Sequence, residues 1–313
     1  MRVLVTGGSG YLGTAIVDAL ARRGHAPVVF ARAPTPADGD AIAGDVTDAA
    51  ALTRAARGVD AICHSAALVS IWDRDRARFD AVNVGGLRNA IGAAKAADHD
   101  RFVYTSSFLA LPPRGAAAPV RGNDYQRTKT AANDVAEQNA RDGFPITRLY
   151  PGVIYGPGDD RDSNLVGRLV RDQLARAFPA IVGGDRVWSF AWIDDVADAH
   201  VTALERGGAA AFMLGGENVP QRRLFEIVQA ETGARIPWSL PPWMARAVGT
   251  VEVARARITG HAPAVTPATV AIFEHDWPLD SSAAQAGLNY RITPLVEGVR
   301  RLLMTFDRSA PST

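Results

Sequence analysis

The chain has 313 residues, 47% hydrophobic and 21% charged, a composition that excludes disordered and fibrous classes and leaves ample length for a buried core. Its 34 basic and 33 acidic residues give a net charge of +1, with no electrostatic footprint for nucleic acid. Cys63 is the only cysteine, so intrachain disulfides and thiolate zinc sites are excluded, and its apolar surroundings read as those of a buried structural thiol.

No apolar stretch is long enough to span a bilayer. The N-terminus enters a strand at once, with no charged leader, so a cytoplasmic protein is expected. Residues 2–5 form a short β-branched run. Gly7, Gly10 and Gly13 follow at G-x-x-G-x-x-G spacing, ahead of a helical period in Leu12, Ile16, Ala19 and Leu20. Strand, glycine turn and helix predict a cradle for a dinucleotide pyrophosphate, whose charge meets the free N–H groups at the helix start.

Strand and helix signals then alternate to residue 150. Strands are expected at 27–31, 41–43, 59–63, 101–105 and 146–150. Helices are expected at 48–56, with Thr47 or Asp48 as cap, at 79–97, and at 125–140, with Asn123 or Asp124 as cap. Such alternation requires a parallel sheet with helices on both faces, a doubly wound α/β Rossmann fold whose ligands lie beyond the carboxyl ends of the strands. About twenty residues after the glycines, an acid would grip the 2′-hydroxyl of NAD and an arginine would accommodate the 2′-phosphate of NADP. The chain offers Phe30-Ala31-Arg32 and no acid, so NADP(H) is the expected cofactor. The alternative is that Arg32 only solvates a strand end.

In Tyr125-Gln-Arg-Thr-Lys129, positions i and i+4 share a helix face, so phenol and ammonium can act together. A free phenol has a pKa near ~10, and a neighbouring cation is expected to favour its phenolate, which suits carbonyl–alcohol interconversion. Arg101-Phe-Val-Tyr-Thr-Ser-Ser107 ends the fifth strand with hydroxyls on the expected cofactor side.

Together with residues 6–13, His64-Ser-Ala-Ala67 and Val82-Asn-Val-Gly-Gly-Leu-Arg-Asn89, these motifs resemble the extended short-chain dehydrogenase/reductase family, in the family's order as far as Gly158. The resemblance implies that Gly7, Gly10 and Gly13 hold the pyrophosphate beside Tyr11 and Leu12, and that Asp45, with Val46, contacts adenine. Ser65, Ala66, Ala67 and Thr105 would line the cofactor. Ser107 would polarise the substrate oxygen, with Ser106 as the fallback. Tyr125 would transfer the proton, and Lys129 would bind the nicotinamide ribose. Asn83 would support a proton-relay water or simply pack its helix. Tyr150-Pro151-Gly152-Val153 would edge the nicotinamide. A homodimer through the helices carrying Asn83 and Tyr125 is also implied.

After Pro151 the pattern loosens. The domain division expected is 1–155 for the Rossmann portion, with returning elements around 188–216, and 156–187 plus 217–313 for a smaller, irregular substrate portion. Helices are expected there at 195–205 and 224–232 and a strand at 211–214. Asp159-Asp-Arg-Asp162 reads as a solvated turn rather than a calcium loop, and His64, His200, His261 and His275 lack metal-ligand spacing, so no metal is expected. Trp188 stands where sugar-nucleotide members of the family carry a phosphate-binding arginine, and an indole cannot make that bidentate contact. Trp72, Phe108, Trp188, Trp192, Trp238 and Trp243 are expected to form an apolar pocket, with Trp72, Phe108, Trp188 and Trp192 joining Ser107 and Tyr125 against the substrate. Trp243, Met244, Val248 and Val251, followed by Arg255 and Arg257, read either as a cap helix over that pocket or as a membrane-surface helix.

The resemblance is nearest to the branch of dihydroflavonol reductases, 3β-hydroxysteroid dehydrogenase-like enzymes and bacterial β-keto reductases. It implies an NADP(H)-dependent oxidoreductase acting on an apolar small-molecule carbonyl or alcohol. Two other functions share the fold: an NAD-dependent sugar epimerase or dehydratase, and a non-catalytic NADP-binding sensor.

Overall fold

The computed structural model describes residues 1–35, 37, 39–120, 122–158, 164–177 and 180–308; the Asp159–Asp162 motif lies outside them. In chain order the strands are β1 (Arg2–Thr6), β2 (Ala26–Ala31), β3 (Ala41–Ala43), β4 (Ala61–His64), β5 (Phe102–Thr105), β6 (Ile146–Pro151), β7 (Val153–Tyr155), β8 (Ala180–Ile181), β9 (Val187–Trp192), β10 (Ala210–Leu214), β11 (Glu217–Pro220) and β12 (Trp238–Ser239). The helices are α1 (Tyr11–Arg22), α2 (Ala49–Ala56), α3 (Ala77–Phe79), α4 (Gly86–Ala96), α5 (Asp124–Arg141), α6 (Leu165–Leu174), α7 (Ile193–Arg206), α8 (Arg222–Thr232), α9 (Pro242–Thr259), α10 (Pro267–Phe273), α11 (Ser282–Leu288) and α12 (Leu295–Arg308).

Seven strands form one parallel sheet in the order β10-β6-β5-β4-β1-β2-β3. Successive residues of a strand face opposite sides, and the burial follows that alternation. Val3, Val5 and Cys63 pack with α1 and α7 on one face, while Leu4, Ile62 and Phe102 pack with α2, α4 and α5 on the other. Burial pushes the Cys63 thiol up to about 12, which leaves it inert. From β1 the chain runs outward to β2 and β3, then returns to the other side of β1 with β4. The crevice at this reversal, beyond the carboxyl ends of β1 and β4, is where a doubly wound sheet binds its ligand.

The predicted helix at 79–97 is not continuous. Between α3 and α4, Asp80–Gly85 forms a π-helical turn around Asn83; hydrophobic periodicity carries no sign of one extra residue in a turn. Of the stretch at 188–216, α7 and β10 return to the main sheet, whereas β9 belongs to a separate three-stranded sheet ordered β11-β9-β7. A third apolar cluster joins β7 and β9 to α6, α8 and α12 through Tyr155, Val170, Phe190, Leu224 and Val299.

Two buried histidines pin the sheet. His64 Nδ1 lies 2.8 Å from the Thr6 hydroxyl. His200 Nδ1 donates to the Val196 carbonyl at 2.7 Å, so its Nε2 accepts from the Thr105 hydroxyl at 2.9 Å. Burial, helped by the Lys129 charge, pushes His64 down to about 3, and burial pushes His200 down to about 4. Both are neutral in the fold, while the unfolded chain takes up protons below about 6.5. Stability therefore falls as pH drops from 6.5 towards 4. In urea titrations at pH 7 and pH 4.5, His200→Gln should lose less of its midpoint than the parent chain; an equal loss would refute this.

Candidate active site

Gly7 takes φ +72°, in the left-handed region that favours glycine. A Cβ there would lie 2.8 Å from Ala66 Cα, and a Cβ on Gly13 would lie 2.0 Å from the Gly7 carbonyl oxygen. The loops after β1 and β4 are thus in backbone contact, and α1 abuts the first of them. No side chain caps the start of α1, whose Ncap is Gly10. Uncapped N–H groups beside a side-chain-free turn fit a pyrophosphate. Tyr11 packs its ring on Gly158 and donates its hydroxyl to the Gly156 carbonyl at 3.0 Å, bracing this end of the helix; Leu12 is buried beside it.

The adenosine end follows β2 and β3. Asp45 Oδ1 accepts from the Thr47 N–H at 2.9 Å and from its hydroxyl at 2.8 Å. The Thr47 N–H holds the carboxyl below its ordinary range, with further help from the Arg32 and Arg78 charges. Arg32 is exposed. Val46 packs on Gly86, and its carbonyl accepts from the Asn89 amide at 2.9 Å.

Ser65, Ala66 and Ala67 open the loop that leaves β4. The Ala66 N–H donates to the Thr6 hydroxyl at 3.4 Å. Asn83 in the π-helical turn accepts from the Leu68 N–H at 2.7 Å and donates to the Leu68 carbonyl at 3.3 Å and the Thr128 hydroxyl at 2.9 Å. Its amide therefore ties this loop to α5. Farther along the loop, Arg76 forks onto the Asp124 carboxylate with two bonds of 2.8 Å.

Of the two candidates, Asn123 caps α5, accepting from the Gln126 N–H at 3.0 Å. Within the first two turns, Tyr125 and Lys129 face the end of β5. Ser107 accepts from the Leu109 N–H at 3.2 Å, starting a short 3₁₀ turn (Phe108–Ala110), and its hydroxyl is near enough to the Tyr125 phenol to favour the phenolate slightly. Ser106 points to the opposite side, with Tyr104. Lys129 Nζ donates to the Thr105 carbonyl at 2.9 Å and stands 6.0 Å from the centre of the Tyr125 ring.

Charge coupling was expected to favour the Tyr125 phenolate, but burial dominates. It pushes Tyr125 up to about 12 and Lys129 down to about 7. The sequence places the two groups four residues apart; it does not reveal how dry the site is.

Tyr150, the next-to-last residue of β6, donates its hydroxyl to Asn133 Oδ1 at 2.7 Å. Pro151 closes β6, Gly152 donates to the Leu214 carbonyl at 3.0 Å, and Val153 opens β7.

The aromatic pocket needs correction. Phe108 lies 6.0 Å from Trp188 and 5.4 Å edge-on from Trp277, and Trp188 stacks on Phe273 at 5.0 Å. Trp192 instead packs on Tyr155 and beneath Arg301, because it stands four residues along β9 from Trp188, roughly 13 Å away. Trp238 and Trp243 are exposed, and Trp72 is half-buried in the loop after β4. Trp277 was missed because it follows α10 in an irregular segment. Only its bridge to Trp188, which sequence spacing cannot show, brings it to the wall. Trp188 is buried and donates its indole N–H to the His275 carbonyl at 3.2 Å, so it presents no donor to a diphosphate.

The model of the NAD dependent epimerase/dehydratase family matches residues 3–215, from the first strand of this cradle to just past β10. The chain belongs to that family. It is the family of the extended short-chain dehydrogenases and reductases, and the match takes in the cradle and the Tyr125–Lys129 pair. Relatives include sterol demethylase protein B of Methylococcus capsulatus, 32% identical over 80% of this chain and 81% of its own length. The 2-alkyl-3-oxoalkanoate reductase of Stenotrophomonas maltophilia is 34% identical over 75% of this chain and 76% of its own. Among solved structures, gox2253 covers 100% of this chain and 99% of its own at TM-score 0.82 and 28% identity.

Lys129 yields a prediction. Its folded value of about 7 lies below the ordinary 10.5, so between those values the unfolded chain holds the extra proton and stability rises with pH. In urea titrations from pH 7 to 10, Lys129→Met should flatten this rise; an unchanged slope would show the ammonium is not buried.

Proposed function

We propose that this protein is an NADP(H)-dependent oxidoreductase that interconverts a carbonyl and a hydroxyl on an apolar small molecule, using Ser107, Tyr125 and Lys129. The observation that carries the reading is the convergence of that trio beside the Phe108–Trp188–Trp277 wall. The Ser107 hydroxyl neighbours the Tyr125 phenol, Lys129 is buried on the Thr105 carbonyl, and the apolar rings of the wall offer no cationic donor for a sugar diphosphate.

When bound, a nicotinamide dinucleotide would supply or accept the hydride. In the reductive direction Ser107 and Tyr125 hydrogen-bond the substrate oxygen. Tyr125, protonated at neutral pH because burial holds it at about 12, then gives its proton to that oxygen. Lys129 neutralises the phenolate left behind and holds the nicotinamide ribose. Arg32, close enough to Asp45 to lower its carboxyl, would pair with the 2′-phosphate of NADP. Sterol and alkyl-oxoalkanoate names among the relatives support an apolar substrate. A homodimer through the outer faces of α4 and α5 belongs to the same reading.

The test is NADPH oxidation with 2-alkyl-3-oxo acids, apolar ketones and 3-oxosteroids. Tyr125→Phe should lose turnover on the order of 10²–10⁴-fold while binding NADPH normally; full turnover would overturn the mechanism. Arg32→Asp should weaken NADPH roughly 10- to 100-fold, the loss of one charged hydrogen bond, and leave NADH little changed. Equal loss of both would remove Arg32 from the cofactor choice.

A further inference from the structure

We propose that α9 is a surface-seeking helix that seats this protein on the interfacial layer of an anionic lipid bilayer, beside the wall of its active site. The pattern of α9 is the reverse of an ordinary amphipathic helix. Only Ala245, Gly249 and Ala256 are buried. They form a narrow seam against the start of α10, where a Cβ on Gly249 would lie 3.0 Å from the Pro267 nitrogen. The large apolar side chains face outward, with Trp243 and Val251 each 68% exposed and Ile258 86%.

At 3.6 residues per turn, Trp243, Met244, Val248, Val251 and Ile258 fall within an arc of roughly 140°. Arg255 is the only charged residue in that arc, near one edge; Arg246 and Arg257 flank the other. Trp238, on the neighbouring β12, is 79% exposed. Isolated exposed apolar residues need no explanation, but a contiguous face spanning four turns does.

Charge identifies the occupant. The helix carries three arginines against Glu252 alone. Arg246 pairs with Glu274 off the helix, and Arg255 with Glu252 at 2.7 Å. An apolar face with exposed tryptophan and an arginine rim fits the headgroup boundary of an anionic bilayer. Arg257 has no carboxylate partner among the described residues, so this edge stays positive, which favours anionic headgroups over a second copy carrying the same edge. None of the described helices is long and apolar enough to cross a membrane, so the helix lies on the surface.

The position suits an enzyme of apolar compounds. Beneath α9, Phe273 of α10 stacks on Trp188, and Ile272 closes on Gly122 just before Tyr125. At its far end Gly260 meets Arg74, on the loop that carries Trp72. One short helix separates the outward apolar face from the aromatic wall.

The test is co-sedimentation of the full chain with phosphatidylcholine vesicles with and without phosphatidylglycerol. The protein should pellet with the phosphatidylglycerol vesicles and be released by salt. The Val251→Asp, Ile258→Glu double variant should bind at least tenfold more weakly. Both positions are exposed, so its urea midpoint and NADPH affinity should match the parent chain. Failure to pellet with either vesicle, or equal binding by the double variant, would overturn the proposal. So would a parent dimer that the double variant converts to monomer, which would give the face to a second copy. The assay uses no carbonyl substrate, so its failure and a failure of the redox reading are distinguishable.

Discussion

A buried lysine ammonium is costly unless its surroundings replace water, and the site is arranged around that demand. Lys129, 3% exposed, has the Thr105 carbonyl at 2.9 Å and the Tyr104 and Tyr125 rings at 5.4 and 6.0 Å. His64 stays neutral close by, so the lysine does not share its pocket with a second cation. The carbonyl is itself fixed, since the Thr105 hydroxyl is held by His200 and the next N–H donates to Leu149 on β6. Positioning is completed at the start of α5 by the Asn123 cap, the Arg76–Asp124 fork and the Asn83–Thr128 bond. Each constraint comes from a different element, which is why a Tyr-x-x-x-Lys spacing means little without the rest.

Where the chain was legible, the physics was local. Glycine spacing between strand and helix prescribes the cradle because only backbone geometry is at stake. Alternating strand and helix periods prescribe the parallel sheet because parallel neighbours need crossovers. What escaped leaves no mark in the periodicity. Trp277 reaches the wall through a bridge between distant segments, and the π-helical turn around Asn83 adds a residue that no period records. The dryness that moves Tyr125 and Lys129 depends on the packed whole.

The second half of the chain was harder to read for another reason. Its β9 runs Val187-Trp-Ser-Phe-Ala-Trp192, with aromatic residues on one side and small ones on the other, yet it lies between β7 and β11 in a separate sheet. In α9 the apolar stripe faces solvent and a seam of small residues faces inward, so periodicity identifies a helix and misassigns its buried side. A helix whose small residues face inward and whose large apolar residues face outward inverts the pattern that such a reading relies on.

The redox reading rests on hydride passing between an exchangeable nucleotide and an apolar carbonyl carbon. NADPH deuterated at the transferred nicotinamide position tests it most directly, with a 2-alkyl-3-oxo acid as acceptor. The account predicts deuterium on the new carbinol carbon and one NADP⁺ released per label transferred. A product without deuterium, formed by protein that yields tightly held NAD on denaturation, would contradict it and make this chain an epimerase or dehydratase.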